Sequence, residues 1–517
     1  MVAGTVDAVV VGAGSNGLVA ANVLTDAGWD VIVLEAGGAP GGSVRSAEVT
    51  APGYLSDLCS AFYPLGAASP ALAELELDGY GLAWRHAPDV LAHLLPDGRA
   101  AVLNRDPWAT ARSVAEFAPD DEQAWLHAYA RWRAVSRPLL DALFAPFPPV
   151  RSGVRVLRAL RAAGAIRLAR RFLVPAGVLA DELFAGEGAR LLLAGCARHT
   201  DLGPGEAGSG VFGWLLAMLG QEYGFPVPVG GAQRLTDALV ARLVDRGGRV
   251  ECGARVDRVL VAHGRALGVR TADGRLWRSR RAVLADVPAP ALYLDLVGRD
   301  RLPSRLADDL DHFRWDGSTV KVDWALSSPL PWRNPAAARA GTVHLGSGPG
   351  PDAPLVILGQ MTTADPARSP EGTESAWAYT HLPHRPQWTT EEVRGYVERI
   401  ESAVATYAPG FDRYVVGRYV AGPADLEAEN PSLVGGAIGG GTSAAYQQLF
   451  LRPVPGLGRA DTPVDRLFLA SASAHPGGGV HGVPGRNAAR AALARDRRLT
   501  GSLYRAAIQT GHRAVYG

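Results

Sequence analysis

Lysine is almost absent from this sequence. Of its 52 basic residues only Lys321 is a lysine. The arginine excess accompanies 62 glycines and 37 prolines, a codon-composition bias, so runs of arginine carry little information and the surviving lysine carries more. Cysteine is scarce too. Cys59, Cys196 and Cys252 lie far apart with no CxxC pair. That excludes a disulfide framework, a zinc site and a dithiol redox couple, and no metal is expected. Thiols left reduced fit a cytoplasmic protein. Charge of one sign is missing: 52 basic against 51 acidic residues give a net +1. A nucleic-acid surface resting on general basicity is excluded, and no nucleic-acid partner is expected. Long uninterrupted apolar runs are also missing, so no transmembrane helix is expected. The first residues lack a basic n-region and meet a glycine loop where a cleavage site would stand, so no signal peptide is expected.

What remains is apolar and large. The 517 residues are 47% hydrophobic, enough for two or three domain cores and too much for a disordered chain. Residues 7–11 (DAVVV) are a short continuous apolar run, the pattern of a strand buried on both faces. Gly12-Ala13-Gly14-Ser15-Asn16-Gly17 follows, then a helical run over 18–27 closed by Gly28, then a second buried strand over 30–34 ending at Glu35. A lone GxGxxG is a common turn. This one follows a strand, opens a helix and is answered by an acid 23 positions after Gly12, the context of a dinucleotide-binding βαβ unit. Gly12 permits the tight turn, Gly14 lets backbone approach a pyrophosphate, and Gly17 lets helix pack on strand. The helix N-terminus offers N–H groups and a partial positive charge to phosphates. Glu35 is placed to accept hydrogen bonds from ribose hydroxyls and disfavours a 2′-phosphate, so the expected ligand is FAD or NAD, not NADP. Glu35-Ala36 then runs into a second glycine turn, Gly41-Gly42-Ser43-Val44-Arg45.

Residues 106–227 read as mostly helical, with helical periodicity over 120–143. The run 151–171 puts Arg151, Arg155, Arg158 and Arg161 on successive turns. Such a helix suits an anionic membrane surface as a peripheral contact. The general abundance of arginine favours a plain solvated face instead. A Pro/Gly turn precedes an amphipathic helix over 233–245; strands are expected over 254–260, 266–271, 281–286 and 319–326, and a helix over 391–407. Residues 435–441 are a glycine-rich loop. Near the end, LFLASASAHPGGGVHGVPGRNAARAAL (467–493) reads as strand, glycine loop and helix from about Pro484. The turn Gly346-Ser347-Gly348-Pro349-Gly350 is proline-laden with no helix after it, so a second nucleotide unit, and with it an NAD(P)H domain, is not expected.

Three blocks resemble the phytoene desaturase-like branch of the amine oxidase superfamily of FAD enzymes: residues 10–46, 227–259 and 468–491. The turn His475-Pro476-Gly477-Gly478-Gly479 closely matches the HPGxG turn of bacterial phytoene desaturases. The resemblance implies an α/β protein. Its Rossmann-like FAD-binding domain (GR2-type) would be assembled from discontinuous segments (1–105, 228–299, 460–517). A helical subdomain (106–227) and a mixed-sheet substrate domain (300–459) would complete it. It also implies site residues. Gly12, Ala13, Gly14, Asn16, Gly17, Glu35 and Ala36 would hold the ADP moiety. Gly41, Gly42, Ser43 and Arg45 would line the pyrophosphate and ribityl chain, and Val256 would meet the adenine. Gly478, Gly479, Val480 and Val483 would sit at the isoalloxazine. No cysteine lies near that last block, so FAD is expected to be non-covalent.

For chemistry, Lys321 is the first candidate, since amine oxidase relatives carry a lysine near flavin N5 and a lysine donates from a compact point as arginine cannot. His475 and His481 flank the glycine turn and are acid–base candidates, with fixing the turn as the competing role. The expected function is FAD-dependent dehydrogenation, desaturation or oxidation of an apolar small molecule such as a polyene or terpenoid. Oxygen or a quinone would accept the electrons. An amine or amino-acid oxidase, a redox-neutral flavin isomerase and a catalytically weak structural flavoprotein are the alternatives. The turn Val480-His481-Gly482-Val483 lacks the aromatic residue of an amine cage, which argues against an amine substrate.

Overall fold

The computed structural model describes residues 2–346 and 355–517, with the side chains of 161–163 outside that description. Most of the proline-laden turn after Gly346 therefore lies outside the described residues.

The first sheet is parallel at its centre. Strands Arg249–Glu251, Val31–Leu34, Val2–Val11 and Leu276–Ala285 lie side by side, and Leu467–Leu469 pairs with the end of the last of these. The hairpin Val256–Ala262 and Arg265–Thr271 extends it in antiparallel fashion. The continuous apolar runs follow from burial on both faces. Ala8, Val10, Val31 and Val33 pack under helices Ser15–Asp26, Gln233–Asp245 and Val483–Asp496. Val9, Val11, Ile32 and Leu34 face Leu292, Tyr293, Leu306 and Leu310 on the other side.

The second sheet has seven strands in the order Val415–Ala421, Ser318–Leu326, Glu374–Leu382, Val356–Gln360, Ala340–Leu345, Asp89–Leu94, Ala100–Leu103. Alternation sorts its faces. Val320, Val322, Trp324 and Leu326 pack toward helix Thr390–Tyr407; Thr319, Lys321 and Asp323 point the other way. The last two strands correct the expected boundary at residue 105. Residues 89–103 belong to this sheet and not to the nucleotide sheet, because the strand at 89–94 pairs in parallel with Ala340–Leu345.

Residues 106–227 are helical, chiefly Asp121–Leu143, Val150–Arg171, Glu187–Ala197 and Ser209–Tyr223. Trp125, Trp132 and Trp214 share one continuous core with Leu18 and Leu24 of the first helix, so this layer is fused to the nucleotide sheet. A fully buried ion triad ties the parts together. Arg368 bridges Asp57 and Asp365, while these acids also accept the N–H groups of Ala232 and Gly230.

Candidate functional site

The glycine loop sits at the end of the first strand. Gly12 has φ +92°, and a Cβ on Gly17 would stand 2.2 Å from the Gly12 carbonyl oxygen, so only glycine permits this turn. Gly14 is the N-cap of helix Ser15–Asp26 and offers no capping side chain. One opening N–H, that of Gly17, is taken by Asp286 at 2.8 Å. Burial pushes the Asp286 carboxyl up to about 7, the Gly17 N–H opposes this, and the charge of Glu35 adds to it. The sequence marks Asp286 as a strand-end residue that caps a turn, without showing which turn. It is part of the loop, and nothing in its local sequence says so.

Glu35 reaches back from its strand. Its two oxygens accept from the N–H groups of Ala13 and Gly37, each at 2.7 Å. Ala36 is exposed beside it. Residues 253–256 run alongside, through Gly253 N–H to the Gly37 carbonyl and Ala254 N–H to the Glu35 carbonyl. That brings Val256, expected from the resemblance, to the same end as Glu35.

The second glycine turn lies directly on the first. Gly41 donates its N–H to the Ala13 carbonyl at 2.8 Å, and a Cβ on Gly42 would be 3.3 Å from the Gly14 Cα. Arg45 bonds the Gly42 carbonyl and pairs with Glu429, and Asn430 donates to the Ser43 hydroxyl. Burial pushes the neighbouring Cys59 thiol up, opposed by the Ser43 hydroxyl and the charge of Lys321.

The C-terminal loop closes the site from above. Gly479 has φ +117° and Val480 φ +50°, and helix Val483–Asp496 begins immediately after Gly482. This helix lies on the first one so closely that a Cβ on Gly485 would touch the Asn16 carbonyl. The glycine run at 435–441 packs against the same loop: a Cβ on Gly478 would be 2.8 Å from the Gly439 carbonyl. Asp316 accepts three N–H groups of that run, from Ile438, Gly439 and Gly441, and buried Arg452 donates to carbonyls of both loops. From sequence, residues 435–441 are a plain loop. The run of glycines is the available signal, and its partner loop is not legible there.

His475 and His481 pack against Phe147 and Phe144. His481 Nδ1 accepts the Val483 N–H at 3.2 Å, capping the helix, and its ring lies 5.5 Å from Phe144. His475 sits against Phe147. Burial lowers both to about 4, so both are neutral. This geometry favours their fixing of the turn over acid–base chemistry.

Lys321 is 3% exposed and paired with Asp323 two residues along the same strand face. Burial raises the Asp323 carboxyl, opposed by the lysine's charge. Beside Lys321 stand the rings of Trp377 and Tyr379, stacked at 5.8 Å, and Phe62 packs on Trp377 at 5.9 Å. Cys59 feels the charge of Lys321, which puts the lysine face next to the second glycine turn.

These loops fit FAD. Two glycine turns in mutual contact, a helix without its own cap and a strand-end acid form a cradle for a dinucleotide. A family model described as "Flavin containing amine oxidoreductase" matches residues 17–493.

The chain belongs to the flavin-containing amine oxidoreductase family.

Enzymes of this family are FAD-dependent oxidoreductases, and this one is distantly related to carotenoid desaturases. It is 29% identical to hydroxyneurosporene desaturase of Cereibacter sphaeroides, over 94% of this chain and 97% of that protein. It is 28% identical to mouse pyridine nucleotide-disulfide oxidoreductase domain-containing protein 2, over 93% and 92%. It is 25% identical to a limonene dehydrogenase polypeptide of Castellaniella defragrans, over 94% of each. Among solved structures, an oxidoreductase from Methanosarcina mazei shares the fold with TM-score 0.63 at 16% identity, covering 94% of this chain and 99% of that one. Putrescine oxidase does so at 0.61 and 17%, covering 95% and 99%. No helix among the described residues is long and apolar enough to cross a membrane, and none of their His, Cys, Asp and Glu clusters suits a metal ion.

Proposed function

We propose that this flavoprotein dehydrogenates an apolar small molecule of the polyene or terpenoid kind. The observation that carries the reading is the face around Lys321: one buried ammonium–carboxylate pair beside an aromatic wall of Phe62, Trp377 and Tyr379, next to the second glycine turn. FAD, when bound, supplies the hydride acceptor. Gly12, Gly14, Gly17 and Glu35 take its ADP end, Gly41, Gly42 and Arg45 its central chain, and Gly479, Val480 and Val483 its ring. Lys321 holds a donor at the ring, while its pairing with Asp323 fixes its position. The aromatic wall orients an apolar chain and excludes water. Flavin attachment is non-covalent, because no cysteine lies in or near the C-terminal loop at the ring. The names of the carotenoid desaturase and limonene dehydrogenase relatives support an apolar substrate. Oxygen or a quinone takes the electrons.

A peripheral membrane contact belongs to the same reading. Helix Val150–Arg171 carries seven arginines and no acid, and it leaves Leu157 57% and Ile166 71% exposed.

The test is anaerobic. FAD-loaded protein is mixed with fractions of a lipid extract and with an amine panel. Bleaching of the flavin band by an apolar fraction is the expected result. Reduction by amines alone would replace the reading with amine oxidation.

A further inference from the structure

Two carboxylates share the first glycine loop. Glu35 takes the Ala13 N–H at 2.7 Å and Asp286 takes the Gly17 N–H at 2.8 Å. Asp286 follows directly on strand Leu276–Ala285, and its own N–H anchors it to the Val11 carbonyl at 2.7 Å. It stands against all three glycines of the motif. A Cβ on Gly12 would be 2.7 Å from the Asp286 carbonyl oxygen, one on Gly14 2.6 Å from its Oδ2, and one on Gly17 3.1 Å from its Cβ. The carboxylate is wedged under Gly14, the residue whose bareness lets backbone approach a pyrophosphate. Helix Ser15–Asp26 has no capping side chain of its own, so Asp286 caps its first turn from 269 residues away.

Charge at this loop is unbalanced. Among the described residues the only charged group acting on Asp286 is another acid, Glu35; the Gly17 N–H and the Asn16 side chain are its polar neighbours. Arg45, the cation of the second turn, is already paired with Glu429. A pyrophosphate brings two further negative charges to a loop that holds two carboxylates. The helix N-terminus answers with only about half a positive charge. One of the carboxylates therefore has to give up its charge. Glu35 has two N–H donors, from Ala13 and Gly37, whereas Asp286 has the single Gly17 N–H and lies under the phosphate-facing glycine. Burial, with the charge of Glu35 added, already holds the Asp286 carboxyl up at about 7.

We propose that Asp286 is a FAD-binding residue that works as a neutral acid: the loop takes up one proton from solvent as FAD binds, and Asp286 holds it on Oδ1 while Oδ2 goes on accepting the Gly17 N–H. The same side chain then caps the helix as an anion in the free protein and sheds its charge when the phosphates arrive. The proposal rests on the pyrophosphate lying at the first glycine loop.

The test uses the full chain and FAD itself. Affinity is followed by flavin fluorescence from about pH 6 to pH 9, and proton uptake is counted calorimetrically near pH 8 in two buffers of different ionisation enthalpy. Affinity should be level below about pH 7 and fall toward ten-fold per pH unit above it, with about one proton taken up per FAD near pH 8. Asp286→Asn keeps an acceptor for Gly17 and carries no charge. It should bind FAD with no pH dependence, and near pH 8 about ten-fold more tightly than the native chain. A native affinity that is level over the whole range, with no proton taken up, would overturn the proposal and leave the FAD cradle standing. The native slope persisting in Asp286→Asn, or weaker binding by that variant near pH 8, would overturn it too. If the variant does not fold, the native chain decides: the infrared band of a neutral carboxyl gained on FAD binding together with the proton supports the proposal, and the absence of either overturns it. A native chain that binds no FAD at any of these pH values would overturn the proposal and the cradle together.

Discussion

The nucleotide loops and the lysine face of the second sheet are built by opposite means. The loops are made of backbone. Gly12, Gly17, Gly41 and Gly42 act through side chains they lack, and each is crowded by a backbone atom: the carbonyls of Asp286, Gly12 and Val44 and the Cα of Gly14. The lysine face is made of side chains: Lys321 and Asp323 from one strand, Trp377, Tyr379 and His381 from a second, His344 and His93 from two more. A site made of backbone tolerates almost no substitution at its few positions. A site made of side chains is adjustable, and that is where one family can hold many substrates.

The contrast can be broken first at the loops. Gly17→Val should abolish FAD binding, since its first added carbon would collide with the Gly12 carbonyl. Equilibrium dialysis with FAD measures this, and retained binding would refute the backbone account. Next comes the triad beneath the lysine face. Arg368→Ala leaves Asp57 buried without its cation and Asp365 with only the half-exposed Arg85, at a cost of about 3–5 kcal/mol in chemical denaturation. At the lysine itself, Lys321→Met should keep FAD bound yet slow anaerobic flavin reduction by on the order of 10²-fold. An unchanged reduction rate would remove Lys321 from the chemistry and leave it a packing residue.

Acid sharpens the comparison further. His93 and His381 have folded values near 4, below the ordinary 6.5 of an exposed imidazole, because burial disfavours their charge. The unfolded chain therefore binds more protons between these values. Their stabilising contribution is complete above about pH 6.5 and lost as pH falls toward 4. Denaturation midpoints across this range should drop for the native protein and drop less for His93→Phe. The smallest effect belongs to the turn: His481→Ala should lose a helix cap worth about 1 kcal/mol. Flavin reduction should stay within about two-fold of the native rate, the mark of a structural rather than an acid–base role.

The same division explains what is legible in the sequence. Residues 7–35 announce their strand, glycine turn, helix and acid because a βαβ unit is local and its glycines are obligatory. The helix at 233–245 and the strand at 318–326 are legible from periodicity for similar reasons. The strands at 89–103 lie in the other sheet from the one expected, because their partner at 340–345 is more than two hundred residues away. Asp286 at the loop, the aromatic wall beside Lys321, and a cluster of four histidines likewise depend on distant contacts. No spacing rule links His93 to His199, His344 and His381. His475 and His481 are conspicuous beside a glycine turn, yet the fold turns both toward Phe144 and Phe147.

The most direct measurement is of the flavin itself. Purified protein is incubated with FAD, stripped of unbound ligand, scanned in the visible range and then denatured. A yellow protein that releases all its flavin into the supernatant on denaturation is the predicted result. A colourless protein after reconstitution, or flavin that stays with the precipitated chain, would contradict the account of the loops as a non-covalent FAD cradle.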